Sequence, residues 1–401
     1  MPDLTLLIVV PLVTGLIGWV TNWSAVKMIF HPERFFGLRP FGWQAIIVKQ
    51  GDKFATGVAD MVTENLISTK ELVERLDPDE LEQMFADTID SETRVLCGEV
   101  AERVAPGSWD KLAEPVREMI IGQVKTETRS LSRDIFDRLQ GLSDELLDLH
   151  QLVRDQLSGE NVRRLSKLTK KIGKAEFKFI EYYGGIFGLI IGVAQVFVWQ
   201  AMQIWWLMPI VGAIVGLVTN WLAIQMIFRP REPKKYLGLV TYQGLFAKRQ
   251  GDIARDYGET AAAEILTPRN ALRLITEGEA GERIAKLVTE MVAERISERR
   301  EAMGPMMPIE ITDAHVEEIR ELLIRRFTEQ APSVQPEIEK YLERKLDVAQ
   351  TVESRLAALP KADFERILRG IFEEDELTLI VVGGVLGGLV GWLQGILVLS
   401  L

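Results

Sequence analysis

The residues that could do chemistry inside the apolar stretches of this sequence are a few amides and hydroxyls. The set is Thr21, Asn22, Thr219, Asn220, Gln195 and Gln394. In a membrane such side chains form hydrogen bonds between helices, each contributing roughly 1 kcal/mol. Because none of them ionises, we interpret them as interhelical polar contacts that fix the register of the spans. A polar constriction or binding point between two halves of the chain is the functional alternative.

Catalytic and metal-binding patterns are not found in the sequence. His31, His150 and His315 stand far apart, each without a second His or Cys at ligand spacing. Cys97 is the single cysteine, so an intrachain disulfide framework is excluded. Phosphate-binding loops, serine nucleophile elbows and zinc-protease helices are also missing from the sequence. We therefore expect a protein that is not an enzyme and that uses no cofactor and no metal.

A repeated segment gives the polar residues their framework. Residues 11–32 return as residues 209–230 with 12 of 22 positions identical, including Thr-Asn-Trp at 21–23 and 219–221. The spacing is 198 residues, nearly half of the 401-residue chain. The sequence therefore predicts one unit written twice.

Apolar runs predict four membrane-spanning helices. Residues 4–26 carry no charge, and at 1.5 Å per residue they extend roughly 34 Å, enough to cross a bilayer. Residues 182–228 also lack charge and at 47 residues suit two spans, with a turn expected at 200–209. The predicted boundaries are transmembrane helix 1 at 1–30, helical soluble domain A with an interfacial segment at 31–181, transmembrane helix 2 at 182–206, transmembrane helix 3 at 207–228, domain B with its interfacial segment at 229–376, and transmembrane helix 4 at 377–401.

The fold class expected from this pattern is all-α. An even number of spans in each half gives both halves the same direction, which predicts a tandem parallel repeat about an axis along the membrane normal. Glycines four residues apart let helix backbones approach closely. The helix-packing glycines are Gly184, Gly188 and Gly192 in the second span and Gly383, Gly387 and Gly391 in the fourth.

Charge indicates the compartment and excludes one class of partner. The net charge of −11 argues against a nucleic-acid binder. Lysine and arginine near the span ends all lie on the side of the soluble segments. The positive-inside rule therefore predicts a bacterial cytoplasmic-membrane protein with cytoplasmic soluble domains and both termini outside.

Aromatic residues follow the first and third spans. They are Phe35, Phe36, Phe41 and Trp43 in the first copy and Tyr236 and Tyr242 in the second. Aromatics broken by Gly and basic residues are typical of a segment at headgroup level, so we predict that these residues lie at the membrane interface. A surface loop covering the base of each domain is the alternative.

The soluble segments show helical periodicity throughout. Ser68 or Thr69 and the pair Thr267-Pro268 are predicted helix starts. Apolar residues at 135, 139, 142, 146, 149 and 153 predict one long helix with a coiled-coil-like seam. We interpret it as an amphipathic helix packed in an antiparallel bundle, because a coiled coil needs three to four sustained heptads.

The paired segments Gly-x-x-Thr-Asn-Trp-x-Ala-x-x-Met-Ile-Phe-x-Pro, the run at 238–249 and Leu-Thr-Pro at 266–268 resemble the bacterial membrane-protein family called domain of unknown function 445. The resemblance covers nearly the whole chain. It implies a bacterial cytoplasmic membrane and a helical domain between spans, and it transfers no activity and no catalytic residue.

Two function hypotheses follow. The first is a non-catalytic membrane scaffold or tether whose helical arms bind a partner or a second copy of the chain. The second is a conduit or binding protein for lipid or another amphiphile, collected by the interfacial aromatics. The expected partners are membrane lipids and a protein or a homo-oligomer, without nucleic acid.

Overall fold

The structure is a computed structural model that describes residues 4–38, 42–236, 238, 240–303 and 312–400. Helices form most of this part of the chain. Contacts divide the chain into two compact units. The span unit comprises Met1–Leu66, Val153–Ile265 and Val348–Leu401, and the arm unit comprises Ile67–Leu152 and Leu266–Asp347. The predicted domains 31–181 and 229–376 each contribute to both units, because helices from both halves of the chain pack together.

Helices of the span unit are α1 Leu4–Phe30, α2 Ile46–Lys49, α3 Gly51–Met61, α10 Val162–Ile172, α11 Lys174–Met202, α12 Leu207–Phe228, α13 Leu245–Lys248, α14 Gln250–Thr260, α18 Val348–Ala358 and α19 Lys361–Ser400. Two π-helical turns, Val62–Leu66 and Ala261–Ile265, follow α3 and α14. A 3-10 turn, Gly159–Asn161, precedes α10.

Four of these helices are long and apolar enough to cross a membrane: α1, α11, α12 and the part of α19 between Glu376 and Ile396. Helix α11, which contains the predicted second span, begins at Lys174, because the charged residues before residue 182 continue the helix although they lower its hydropathy. The connection to α12 is shorter than the predicted turn. It contains only residues 203–206, and Gln203 adopts the left-handed conformation with φ of 51°.

A short β-structure, which the sequence did not predict, follows the first and third spans of this mainly helical chain. Strands β1 Lys234–Tyr236 and β2 Val240–Tyr242 pair antiparallel, with Lys234 opposite Tyr242. In the first copy Phe36 and Trp43 form a single antiparallel bridge through two backbone hydrogen bonds of 2.9 and 2.7 Å. Gly37 and Gly238, which belong to the predicted interfacial segments, have positive φ, a conformation that glycine adopts without strain.

Helices of the arm unit are α4 Thr69–Glu74, α5 Pro78–Met84, α6 Ala86–Val104, α7 Glu114–Gly141, α8 Ser143–Leu146, α15 Pro268–Thr276, α16 Gly278–Met303 and α17 Asp313–Leu346, with a 3-10 turn at Trp109–Lys111. Helix α9, Leu149–Leu157, begins in this unit and ends in the span unit. The predicted helix starts are confirmed: Ser68 and Thr267 accept hydrogen bonds from the backbone N–H groups of Glu71 and Asn270.

The predicted continuous helix across residues 135–153 is wrong. It is divided into α7, α8 and α9, with breaks at Leu142 and at Leu147. Leu147 is extended, and the Asp148 carboxylate accepts a hydrogen bond of 2.7 Å from Gln151 N. This carboxylate acts as an N-cap, so the chain starts a new helix here instead of extending the old one.

Few residues of the arm unit are fully buried. Tyr341 of α17 is among them, and its hydroxyl accepts a hydrogen bond of 2.6 Å from Asp77 N. Burial raises the pKa of this phenol. Between these few contacts the helices are joined mainly by ion pairs, such as Arg326 with Glu99.

Candidate functional site

The amides of Asn22 and Asn220 each bind a backbone carbonyl of the next span along the chain. Asn22 Nδ2 donates to Ile180 O at 2.7 Å, and Asn220 Nδ2 donates to Leu379 O at 2.7 Å. Both residues are buried, and the Oδ1 atom of each has no hydrogen-bond partner in the described part of the chain. The two asparagines therefore join α1 to α11 and α12 to α19 in the same way.

Glycines make room for these amides. A Cβ atom at Gly184 would lie 2.5 Å from Asn22 Cγ, and one at Gly383 would lie 2.7 Å from Asn220 Cγ. Real Cβ atoms do not approach this closely. Each asparagine and its glycine therefore act as a pair, in which the missing side chain admits the amide to the helix backbone.

The remaining predicted glycines bring helix backbones together. A Cβ at Gly188 would lie 2.5 Å from Thr14 O, and one at Gly192 would lie 2.6 Å from Pro11 Cα. In the other pair of spans, Gly387 faces the backbone of Gly212 and Gly216, and Gly391 faces that of Met208 and Pro209. Small residues at such positions are how membrane helices gain van der Waals contact without a hydrophobic driving force.

Gln195 and Gln394 meet at the hydroxyl of Thr14. Thr14 Oγ1 lies 3.1 Å from Gln195 Oε1, and Gln394 Nε2 donates to Thr14 Oγ1 at 3.2 Å. Gln195 Nε2 also lies 3.9 Å from Met208 Sδ. Sequence reasoning missed Thr14, because its counterpart 198 residues later is Gly212 and a search for matched polar residues passes over it.

Thr21 and Thr219 bond within their own helices, to Gly18 O at 3.1 Å and Gly216 O at 3.4 Å. Both also line a cavity of about 10 Å³ between the four spans, together with Thr14, Gln195 and Gln394. This volume is near the minimum that holds one water molecule. The lining side chains are neutral hydroxyls, amides and aliphatic groups, so they can orient a water molecule or each other through hydrogen bonds.

Predicted interfacial aromatics divide into two sets. Trp43 Nε1 donates to Met28 O at 3.4 Å, and the Tyr242 hydroxyl donates to Met226 O at 2.6 Å, so these two rings cap the ends of α1 and α12. Burial raises the pKa of Tyr242. Phe35, Phe36 and Tyr236 are exposed, Phe36 to 77%. Phe41 lies outside the described residues.

Two buried carboxylates near the span ends were not found from the sequence. Glu176, near the start of α11, is 1% exposed and its Oε1 lies 2.6 Å from Arg249 Nη1. Glu365, near the start of α19, is paired with Arg229 at 3.3 Å and with Arg231. Each carboxylate is held by arginine from a segment that follows a span, so each ion pair fixes the end of one helix to a neighbouring segment.

Metal-ligating residues do not cluster in the part of the chain that the structure describes: no group of three His, Cys, Asp or Glu side chains there could hold an ion. Cys97 is buried in α6, and burial raises the pKa of its thiol. A raised pKa keeps the thiol protonated, which makes it a poor nucleophile.

Four apolar helices packed through glycines and neutral polar contacts define a multi-pass helical membrane protein. Residues 12–135 and 210–338 match the model of the family described as protein of unknown function, DUF445. The two matches cover more than half of the chain. This chain therefore belongs to that family, and the resemblance stated from its sequence is confirmed.

Curated relatives that match are UPF0754 membrane proteins. That of Geobacillus kaustophilus is 30% identical over 130 residues, which cover 30% of this chain and 34% of the relative. That of Exiguobacterium sibiricum is 34% identical over 88 residues, covering 21% and 23%. That of Geobacillus thermodenitrificans is 39% identical over 72 residues, covering 18% and 19%. The matched part thus spans about a fifth to a third of the length of these relatives. No solved structure matches the chain.

Proposed function

We propose that this protein is a non-catalytic scaffold or tether of the bacterial cytoplasmic membrane, whose helical arm unit binds a protein partner or a second copy of the chain. The observation that carries this proposal is a group of exposed apolar side chains on α6 and α7. Val95 of α6 is 44% exposed, and Met119 of α7 is 67% exposed. Val116 and Val124 of α7 are exposed as well.

The position of these side chains supports a binding surface. Arg94 of α6 pairs with Glu118 of α7, so the adjacent residues Val95 and Met119 lie at the same level of the two helices. Ile121, which points to the buried side of α7, is only 2% exposed. Met119 therefore faces away from the core, and flexible methionine side chains suit an adaptable protein contact.

The span unit supports the anchoring role. Its helices approach closely at glycines, and the cavity between them, of about 10 Å³, is no larger than one water molecule needs. Matching hydrogen bonds at Asn22 and Asn220 support a tandem parallel repeat, in which the two span pairs arose by duplication. Such a rigid base suits a tether, since it fixes the chain in the bilayer while the arm unit binds.

Site-specific photo-crosslinking tests the binding surface. Benzoylphenylalanine at Met119 in the full-length protein in cells is expected to give one discrete adduct. Its mass would correspond either to a dimer of this chain or to one other protein. The matched control is the same probe at Ser132, an exposed polar position of α7. Absence of an adduct at Met119, or an equal adduct pattern at Ser132, would contradict the proposal.

Orientation is part of the proposal, because a cytoplasmic partner requires cytoplasmic soluble segments. Basic residues such as Lys27 and Arg229 at the ends of α1 and α12 support this orientation. A reporter fused after residue 401 is expected to be active only outside the cytoplasm. A C-terminal reporter that is active in the cytoplasm would show that the orientation is the opposite of the one proposed.

Binding of lipid or another amphiphile is the second candidate function, and two exposed apolar side chains favour it. Phe36 and Leu38, which follow the first span, are exposed to 77% and 85%. Vesicle-to-vesicle transfer of a fluorescent lipid by the reconstituted protein tests this function, with Phe36→Ser and Leu38→Ser combined as the variant. Transfer that exceeds protein-free vesicles and is lost in the variant would support it, and a rate equal to protein-free vesicles would exclude it.

A further inference from the structure

Helix α10 is strongly basic in an acidic protein. Residues 161–175 contain Arg163, Arg164, Lys167, Lys170, Lys171 and Lys174. They contain no Asp or Glu, although the whole chain has a net charge of −11. Such a run is not a consequence of the overall composition, so its position in the fold is informative.

The apolar and basic residues of α10 lie on different faces. Leu165, Leu168 and Ile172 are buried in the span unit. Lys167, Lys170, Lys171 and Lys174 are exposed, and we call these four residues the basic face. The buried leucines fix the helix to the unit, and the lysine side chains lie on its surface.

The basic face lies at the ends of two membrane spans. Only Gly173 separates α10 from α11, which is the second span. Lys170 Nζ lies 5.8 Å from the ring centroid of Phe30, the last residue of α1. The lysines are therefore located where a bilayer around α1 and α11 presents its headgroups.

Carboxylates neutralise little of this charge. Arg163 pairs with Glu33 at 3.1 Å and Lys171 pairs with Glu259 at 3.4 Å, both at exposed positions. Within the described part of the chain, Lys167, Lys170 and Lys174 have no carboxylate at ion-pair distance. These three ammonium groups keep their full charge for an external anion.

The corresponding segment of the other half lacks this property. Residues 361–371, at the start of α19, contain three basic and two acidic residues, whereas α10 contains five basic and no acidic residues. Lys361 there pairs with Glu232 at 3.0 Å, and Glu365 pairs with Arg229 and Arg231. The two segments have the same place after a soluble region and before a span, so the basic face is a specific feature of α10.

We propose that the basic face binds anionic phospholipid headgroups of the membrane that contains α1 and α11. Clusters of basic residues immediately next to a membrane helix attract anionic lipids, each residue strengthening the attraction about fivefold close to the surface. Phosphate oxygens accept hydrogen bonds from lysine ammonium groups, and several lysines can serve one headgroup or neighbouring headgroups. Anionic lipids would collect beside α10 and not beside the corresponding segment of α19, so the lipid shell around the span unit would be asymmetric.

Native mass spectrometry of the full-length protein in detergent tests the proposal. Phosphatidylglycerol and phosphatidylcholine with identical acyl chains are titrated into the wild type and into the variant K167Q/K170Q/K174Q. The wild type is expected to bind phosphatidylglycerol more tightly than phosphatidylcholine. The variant is expected to lose about tenfold or more of its phosphatidylglycerol affinity and to keep its phosphatidylcholine affinity.

A matched control removes the same charge elsewhere. The variant K70Q/K111Q/K286Q changes three exposed lysines of the arm unit and is expected to bind phosphatidylglycerol like the wild type. Equal affinity of the wild type for both lipids, or equal losses in both triple variants, would overturn the proposal. If the first triple variant fails to fold by circular dichroism, K167Q alone must show about a fivefold loss, or the proposal fails.

Competition separates the lipid from other anions. Inorganic phosphate at millimolar concentration is expected to leave the phosphatidylglycerol adducts in place, because the spans hold the lipid beside the lysines. Displacement by phosphate would assign the face to a free anion. Tighter binding of a short RNA through the same lysines would assign it to nucleic acid, and either result would overturn the proposal.

Discussion

The span unit and the arm unit are held together by different interactions. In the span unit, glycines bring backbones into contact, and the buried polar side chains at the span contacts are neutral residues such as Asn22, Thr14 and Gln394. In the arm unit, arginines and carboxylates that are at least partly exposed join neighbouring helices, as in Arg295 with Asp134 and Arg133 with Asp79. The interactions of the span unit suit a lipid environment, and those of the arm unit suit water.

This difference indicates which interactions each unit needs for its stability. Lipid tails offer no hydrophobic driving force between helices, so close packing and hydrogen bonds must stabilise the spans. Exposed ion pairs in water contribute only about 0–1 kcal/mol each, so the arm unit depends on its few buried residues. A unit with so few buried contacts opens locally at low cost, which suits a surface that accepts a partner.

Alanine at two glycines should have opposite effects in the two units. Gly188→Ala places a methyl group 2.5 Å from Thr14 O and 3.0 Å from Gly15 Cα, both backbone atoms, and we expect a loss of about 2 kcal/mol from overpacking. Gly122→Ala in α7 meets nothing within 4 Å and should stabilise the arm unit by about 0.5–1 kcal/mol. Unfolding in detergent, by SDS for the spans and urea for the arm unit, measures both effects.

The matched glycine of the other span pair is the control for this comparison. Gly387→Ala should resemble Gly188→Ala, because its Cβ would also meet the backbone of the facing helix. A neutral Gly188→Ala variant, or destabilisation by Gly122→Ala, would remove the distinction between the units.

The hydroxyl of Thr14 should matter more than that of Thr219. Thr14→Val removes the group on which Gln195 and Gln394 converge, and leaves buried amide atoms without partners. We expect a loss of about 1–2 kcal/mol in SDS unfolding. Thr219→Val removes one long hydrogen bond within its own helix and should cost less than half as much. Equal losses would mean that the Thr14 contacts contribute nothing specific.

The spans could be predicted from the sequence because charge is excluded from them. Helix α12 has the bounds 207–228 that were predicted for the third span. Helix α11 begins eight residues before the predicted second span, because hydropathy reports where a helix is apolar and not where it begins. The break at Leu147 did have a signal, since Asp148 three residues before Gln151 is an N-cap pattern.

The candidate contacts could be predicted only in part. Asn22 and Asn220 were found because each lies in a Thr-Asn-Trp sequence within an apolar run. Thr14 was not, because it lacks a matching residue in the other half, and Glu176 was not, because its partner Arg249 lies far away in the chain. A repeat shows what both halves share, whereas contacts that differ between the halves depend on the folded arrangement.

The ion pairs of the arm unit should make its stability fall at low pH, whereas the stability of the spans should not change. The Arg94 guanidinium hydrogen-bonds Glu118 and holds the pKa of that carboxyl below its ordinary value of 4.5. The folded pKa is lowered, so this pair stabilises the fold above the ordinary pKa, and the contribution is lost as the pH falls from about 4.5 through the folded pKa. Glu339, whose pKa is lowered by hydrogen bonds from Gln335 and Arg269, acts in the same direction.

Hydrogen exchange of peptides from α6 and α7 measures this loss, with Glu118→Gln as the variant. Wild type and variant should differ slightly at pH 7 and become equal once the pH falls below the lowered pKa of Glu118, whereas peptides from α1 should exchange alike throughout. Because both side chains are exposed, water and salt screen the pair, so the difference should also shrink in high salt. A difference that persists at low pH would show that Glu118 stabilises α7 through packing and not through its charge.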